Sequence, residues 1–580
     1  MNAHKCNLLH LLALLLTSLE LCCSQTTAEQ HQSDAISVID SNELLTLTSR
    51  SCVVLLFKNT SATNASQVSV ERALYELLQP LQMHGVAVHT AVPTEFTSGP
   101  VRLRLHNEQR PIDFVPSVDA VLVAPYRAPD RACLLHLPLA RTIVKVHVYD
   151  AASVRAATTD HVLAFINAHC DTFATASGAL SSAGKRRRQI LEGLFKVAEQ
   201  MREHAVPFSR WHAANGRALT TADAHGACAS DSQQMRLPQC SLQVQQATDA
   251  VQLPSCDAID AASVRLSASE FYSRFLSKSR PLVLRNAVAQ WPARTRWTNE
   301  MLLRKFGHER VHVKLTPPIG EYEGVEPIEW WDTSDFDIPP QVRQQLRFDD
   351  LIVVRPHGVD MSMAEFLDLV EHRSANASLV SAYLEYTSMH DFWQELKVDA
   401  PPLAFIDSLL ALELQNVWLS DGNTLGKLHM DQYDNILCQL SGSKELLLFE
   451  PWHNADLGEG HLLEAYLRFE NGRFHRDHLS ESTAMTMSPI DVALWNETRF
   501  ASFGGTHPLK CDLNAGDALY LPAFWWHQVQ SRPDPRDKRN LAVNFWYSPF
   551  LTKEFPCEHC PFNVNPQYRH LLDAFPYYHD

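Results

Sequence analysis

Between Leu428 and Tyr547 the chain reads as short apolar strands separated by turns that contain Gly or Pro. Several of these strands carry polar side chains that an ordinary core would not accept. His429 and Asp431 stand two positions apart, so on one strand they share a face. After Asp431 comes Asn435-Ile436-Leu437-Cys438-Gln439-Leu440. Ser441-Gly442-Ser443 then leads into Lys444-Glu445-Leu446-Leu447-Leu448-Phe449, the pattern of a hairpin with a glycine turn. Further on, Asn514-Ala515-Gly516-Asp517 is a turn, Ala518 to Pro522 is an apolar strand, His527 follows Trp525-Trp526, and Leu541 to Tyr547 is another strand. Such a series predicts a small double-sheet barrel or jelly roll, with room inside for one ligand.

The polar residues say what that ligand could be. Two imidazoles and one carboxylate on one face of a metal leave about three coordination positions open, as in non-haem Fe(II) sites that take up a co-substrate and O₂. His429, Asp431 and His527 are the candidate ligands. Spacing alone does not select them, because His-x-Asp also occurs at His169-Cys170-Asp171 and His475-Arg476-Asp477. The first ends an apolar helical pattern, and the other lies in a charged stretch expected to be a solvated loop. Only His429-Met430-Asp431 is embedded in strands. A hairpin partner returns Lys444 to the same face, where an ammonium would anchor an acidic co-substrate.

With these residues in place, residues 256 to 550 resemble the JmjC-domain oxygenases of the cupin-like type. The likeness includes Phe271-Tyr272-Ser273-Arg274-Phe275, Arg280 to Ala287, Trp291-Pro292-Ala293 and Trp297-Thr298. It implies a double-stranded β-helix with helical additions, and Fe(II), 2-oxoglutarate and O₂ as cofactor and co-substrates. His429, Asp431 and His527 fall on the metal ligands of that family, and Lys444 on the residue that pairs with the distal carboxylate. Tyr383 resembles the tyrosine that donates to the same carboxylate, and Asn435 and Asn544 fall on polar groups lining the cavity. Where many relatives carry Ser or Thr, this chain has Gly426, so Thr424 is the candidate replacement. Trp525, Trp526 and Trp546 are expected to be packing residues. The implied activity is hydroxylation of a protein side chain. Lysine demethylation uses the same chemistry, and an inactive scaffold that binds a partner is the reading from another class.

The N-terminus points to a compartment. Lys5, the apolar run Leu8 to Leu16, and Cys22-Cys23-Ser24 form a secretory signal over residues 1–24. Endoplasmic reticulum lumen or secretion is therefore expected, and no later segment is apolar enough to span a membrane. Asn59, Asn64, Asn376 and Asn496 lie in glycosylation triplets. Removal of the signal leaves ten cysteines, an even count that permits full pairing in an oxidising compartment. The last four residues, Tyr577-Tyr578-His579-Asp580, are not a retention signal.

The remaining organisation is multidomain α+β. Residues 25–175 alternate strand and helix patterns (Cys52 to Phe57, a helix from Val70 to Met83, then Val86 to Val92, Ala120 to Ala124 and Val144 to Tyr149) and resemble a thioredoxin-like α/β domain. Lys58-Asn59-Thr60-Ser61 stands where its two cysteines would be, so docking is expected there and dithiol exchange is not. Residues 176–255 read as a linker with one helix, 256–555 as the oxygenase domain, and 556–580 as a tail carrying Cys557-Glu558-His559-Cys560, expected as a structural disulfide. Stretches 318–348 and 453–508 are expected to be surface loops beside the substrate cleft. A formal net charge of −16 argues against nucleic acid as a partner.

Overall fold

The computed structural model describes six short strands between residues 52 and 149, residues 180–202 and 205–221, and residues 251–575. Short stretches at 318–323, 335–337, 339, 372–379, 391–392 and 558–561 are excepted. The signal segment, the helix expected from Val70 to Met83, His169-Cys170-Asp171, Asn59, Asn64 and Asn376 all lie outside the described residues. The chain divides into two compact units, 1–187 and 188–580. In the first, β1 (Cys52–Phe57), β2 (Val86–Ala91), β3 (Val101–Leu103), β4 (Ile112–Phe114), β5 (Val121–Ala124) and β6 (His147–Tyr149) are the strands. Four of them form one sheet in the order β2-β1-β5-β6, with β1 parallel to β2 and antiparallel to β5.

The linker contains two helices rather than one, α1 (Ser182–Arg202) and α2 (Phe208–Thr221). Apolar spacing announces α1, whose Ile190, Leu194 and Val197 are buried. The second was missed because its apolar residues are few. Phe208 alone is fully buried, against Phe449, Trp495 and Phe503.

The second unit then runs β7 (Asp257–Asp260), α3 (Ala268–Arg274), β8 (Leu282–Arg285), α4 (Asn299–Phe306), β9 (Arg310–Thr316), β10 (Val325–Pro327), β11 (Leu351–Arg355), β12 (His357–Ser362), α5 (Met363–Val370) and β13 (Ser381–Ser388). Both α3 and α5 begin with a capping box, Ser267 with Glu270 and Ser362 with Glu365. Next come β14 (Leu412–Ser420), β15 (Leu425–Met430), β16 (Asp434–Ser441), β17 (Ser443–Phe449), β18 (Leu462–Glu470), β19 (Arg473–Ala484), β20 (Leu509–Leu513), β21 (Ala518–Leu521), β22 (Trp526–Arg532) and β23 (Asn540–Tyr547).

These strands make a jelly-roll-like sandwich. A nine-stranded sheet, β12-β9-β13-β14-β23-β16-β21-β8-β7, faces a four-stranded one, β15-β22-β17-β20. Every residue of β16 and β23 is buried, because both strands are central and covered on both faces. Leu437, Leu519, Leu521 and Val283 of the large sheet meet Leu446, Leu448, Cys511 and Leu513 of the small one, which defines the inner faces. The β16–β17 turn needs its glycine. Gly442 has φ +75, and a Cβ there would lie 2.4 Å from the Arg532 carbonyl oxygen.

Two expectations are corrected. Residues 318–348 and 453–508 are not plain surface loops, since β10, β11, β18 and β19 join into a separate four-stranded sheet with its own core of Trp331, Ile352, Val354, Leu463 and Leu467. Likewise His475, Asp477 and His478 stand on β19, a strand and not a solvated loop, although their side chains are exposed. Parallel pairing of β11 with β18 joins segments about a hundred residues apart, and no local pattern discloses such a contact.

Cys256 pairs with Cys511 across 255 residues, fixing the chain before β7 to β20, and Cys438 is a buried free thiol. Cys557 is also disulfide-bonded, and Cys560 lies outside the described residues. Closing so long a loop restricts the unfolded chain, with stabilisation of about 2–5 kcal/mol. Cys511→Ser should therefore lower the melting temperature, and dithiothreitol should lower that of the parent protein but not shift the variant further through this bridge. Thermal denaturation followed by circular dichroism checks both.

Candidate metal and co-substrate site

His429 on β15 and His527 on β22 are direct partners in the antiparallel ladder, so both rings leave the small sheet on the same side. Their centroids are 4.1 Å apart. A register shift between Gly426 and His429 bends β15 at this point. Asp431 follows immediately, with its carbonyl accepting from the Phe524 N–H at 2.7 Å, and its Oδ2 is 3.7 Å from His527 Nε2. One ligand atom from each of the three residues lies within 4.8 Å of the others.

The backbone sets both tautomers. His429 Nδ1 is 2.6 Å from the Lys427 carbonyl oxygen, and His527 Nδ1 is 2.9 Å from that of Trp525. A carbonyl can only accept, so each Nδ1 carries the proton and each Nε2 keeps its lone pair for a metal. Burial, and then the neighbouring His429, hold His527 well below the ordinary histidine range, which keeps it the neutral ligand a metal requires. The donor set thus fits one divalent metal, with two nitrogens and one carboxylate oxygen on a common side.

Lys444 leaves the same face four residues along. It pairs with Ser531 on β22, and Ser531 shares the strand parity of His527 at a distance of roughly 14 Å. The lysine is 4% exposed, and its Nζ donates to Ser531 Oγ at 2.8 Å. Among the described residues no carboxylate pairs with it. Burial alone pushes its pKa down to about 7. An ammonium in this position lacks an anion, which the far carboxylate of a diacid would supply. Between the two ends, inward-facing Gly426, His429 and Val529 are half-buried, so this part of the inner face keeps some access to solvent. A Cβ on Gly426 would reach only ordinary contact with His429 and Val529, at 3.8 Å, so the glycine widens the cavity instead of relieving strain.

The opposite wall comes from the large sheet. Asn544 pairs with Asn416 and Leu437, and Trp546 pairs with Asn435, which places Asn416, Asn435, Asn544 and Trp546 on the inner face. Asn416 and Trp418 donate to Asn544 Oδ1 at 3.2 and 2.9 Å, and Asn544 donates in turn to Asn435 Oδ1 at 3.2 Å. Tyr383 is opposite Ser420 on β14 and enters this face beside Trp418. Thr424 is buried, and its carbonyl accepts from the Ser531 N–H, so it braces the strand that carries the partner of Lys444.

Of the eight sequence-predicted residues, His429, Asp431 and His527 come together as one group, Lys444 shares the inner face of their sheet, Asn435, Asn544 and Tyr383 stand on the inner face of the large sheet, and Thr424 bonds through its carbonyl to the strand of Ser531. Sequence reasoning missed Ser531, which the even offset from His527 could have flagged, and Tyr433 and Tyr386, whose role depends on long-range packing. Trp525 and Trp526 are buried packing residues as expected, with indole N–H groups donating to Ser279 O and Asn454 Oδ1. Trp546 is different, because its indole N–H has no hydrogen-bond partner among the described residues.

Residues 268–553 match the family described as the cupin-like domain. This stretch is similar to the cupin-like domain, and the relatives that share it include JmjC proteins. Homo sapiens bifunctional peptidase and (3S)-lysyl hydroxylase JMJD7 is 26% identical over 281 residues, 48% of this chain and 80% of the relative. Arabidopsis thaliana lysine-specific demethylase JMJ30 is 24% identical over 288 residues, 49% of this chain and 53% of the relative. Drosophila melanogaster Jumonji C domain-containing protein 5 is 24% identical over 283 residues, 48% and 58% of the two chains. JmjC proteins are typically Fe(II) and 2-oxoglutarate oxygenases, and in this chain His429, Asp431 and His527 form a group that could hold one metal ion.

An unpaired buried charge destabilises the protein that carries it. Lys444→Met should raise the melting temperature in the absence of 2-oxoglutarate. The gain should be full below pH 7 and shrink as pH rises from about 7 towards 10.5, because in that window the unfolded chain holds a proton that the folded lysine has lost. Differential scanning calorimetry at pH 6 and pH 9 checks the sign. Added 2-oxoglutarate should stabilise the metal-loaded parent and not the variant.

Proposed function

We propose that this protein is an Fe(II)- and 2-oxoglutarate-dependent dioxygenase that hydroxylates a protein side chain in the secretory pathway. One observation carries the reading. Two lone-pair nitrogens and a carboxylate converge at one end of a cavity whose other end holds a buried ammonium with no carboxylate of its own. A partner-binding scaffold needs neither feature, and a metal protein without a diacid co-substrate has no use for the second.

His429, Asp431 and His527 would hold the iron, and Lys444 the far carboxylate of 2-oxoglutarate. When bound, iron and 2-oxoglutarate supply the oxidising power, with O₂ consumed and succinate, CO₂ and a hydroxylated product released. The protein's own residues do the positioning. Carbonyls of Lys427 and Trp525 keep Nδ1 of each histidine protonated, so both rings stay oriented. In a low-dielectric pocket Lys444 forms a charge-assisted bond stronger than its hydrogen bond to Ser531. The linked amides of Asn416, Asn544 and Asn435 present a rigid polar wall to the co-substrate. Hydroxylation is preferred over demethylation because the substrates of a luminal protein are not chromatin.

Support for the compartment comes from the charged and apolar pattern of residues 1–24 and from the Cys256–Cys511 bridge, a bond that persists where the surroundings are oxidising. Among the described residues no helix is long and apolar enough to cross a membrane. The N-terminal unit, read as a thioredoxin-like domain without its dithiol, would serve in docking the substrate.

Purified protein with Fe(II), ascorbate and 2-oxoglutarate should release succinate, and His429→Ala should abolish the release. Retained turnover in that variant, or none in the parent with luminal protein extract present, sinks the assignment. The half-saturating concentration of 2-oxoglutarate should climb from pH 7 to pH 9, approaching about tenfold per unit, because the ammonium form of Lys444 binds the dianion and is lost above about 7. A flat profile over that range in steady-state kinetics would remove Lys444 from the role.

A further inference from the structure

Trp546 is 7% exposed, yet its indole N–H meets no acceptor among the described residues. Buried donors are rarely left so, since the loss of solvent is then uncompensated. The contrast with its neighbour is direct: the indole N–H of Trp418 donates to Asn544 Oδ1 at 2.9 Å. The Trp546 N–H is therefore free to donate to a group that comes from outside the protein.

Position along β23 identifies which acceptor. Asn540 lies at the Lys444 end, donating to the carbonyls of Ser443 and Arg532 beside the β16–β17 turn. Asn544 comes next on the inner face, bonded to Asn435. Trp546 lies two residues further on, pairs with Asn435, and stacks on Tyr433 with rings 5.1 Å apart and 11° from parallel. Tyr433 itself is two residues from Asp431. Along β23, Trp546 is therefore on the side of Asn544 away from Asn540 and the Lys444 end, and through Tyr433 it neighbours the chain that carries Asp431.

The surroundings of Trp546 are open and aromatic. A register shift in β13 between Leu384 and Thr387, with Tyr386 at φ +53, turns the Tyr386 ring onto Trp418 at 4.6 Å and Trp546 at 5.7 Å. Tyr386 is nevertheless 51% exposed, a large ring presented to solvent at the rim of the cavity. A single buried N–H flanked by such faces suits a carbonyl oxygen of an extended polypeptide whose side chains lie against the rings.

We infer that the indole N–H of Trp546 donates to a carbonyl oxygen of the substrate polypeptide beside the residue held at the metal, with Tyr433 and Tyr386 as walls for the flanking side chains. The inference rests on the reading above that the substrate is a polypeptide. Trp546 is on this account a specificity-determining residue, and not one that supports the co-substrate.

The test uses the full chain loaded with Fe(II), and a pool of N-acetylated, C-amidated nonapeptides of randomised sequence. Trp546→Phe keeps a stacking ring and removes the N–H. Its KM for the pool, read from hydroxylated peptide, should rise about tenfold, with kcat and the half-saturating 2-oxoglutarate within about twofold of the parent. In parent protein labelled with 5-fluorotryptophan, the ¹⁹F resonance missing from the variant should shift when the pool is added. Hydroxylated peptide formed with equal KM by both proteins overturns the subsite and leaves the oxygenase reading standing. A resonance that moves while no succinate forms supports the subsite and sinks the oxygenase. A resonance that stays in place overturns the subsite whatever the kinetics.

Discussion

The antiparallel pairing of β15 with β22 is the constraint from which the rest of the site follows. It sets His429 opposite His527, so that two imidazoles from strands about a hundred residues apart in sequence share one side of one sheet. Each ring is then locked by a carbonyl two residues back on its own chain, a device that costs no additional side chain. A slip of one residue would turn one of the rings to the outer face and dissolve the triad. The Phe524 N–H bond to Asp431 O ties the third ligand to the approach of β22, and the Asp434 carboxylate, accepting from Tyr520, Ala523 and Phe550, secures the same corner from below.

Lys444 shows the opposite side of the arrangement, a place where the fold accepts instability for the sake of binding. A buried ammonium whose only bond among the described residues is to a hydroxyl is poorly compensated for its loss of solvent. Another buried lysine of the domain is paired: Lys553 and Glu459 are both fully buried and joined at 2.6 Å. The difference between the two lysines separates a structural pair from a site prepared for a partner that comes from outside.

Much of this was legible in the residues. Period-two alternation placed His429 with Asp431, and the Gly442 turn placed Lys444 beyond them, because both relations are local. Asn435 and Asn544 were placed by the family resemblance alone, because β16 and β23 are buried along their whole length and show no alternation. What the sequence did not disclose depends on contacts between distant segments. The separate sheet of β10, β11, β18 and β19 arises from a parallel pairing across a long insertion, so each strand alone looked like loop. Tyr386 gains its place from a register shift in β13, and α2 from a single phenylalanine among distant rings. Trp546 was correctly placed on a strand, but its unmet N–H becomes visible only when every neighbour is known.

Residues 486–488 complete the picture at β15. Met430 N–H donates to Thr486 O, Ser488 N–H to Leu428 O, and His429 bridges to Met487, so the tail of the inserted sheet runs along the free edge of the strand that bears His429 and leads into Asp431. In its own four-stranded sheet β15 is terminal, and a bare terminal strand invites a foreign chain to add to it. The insertion therefore does more than shape a cleft: it closes off the unpaired amides of the ligand-bearing strand, and a shortened relative would have to shield that rim by some other means.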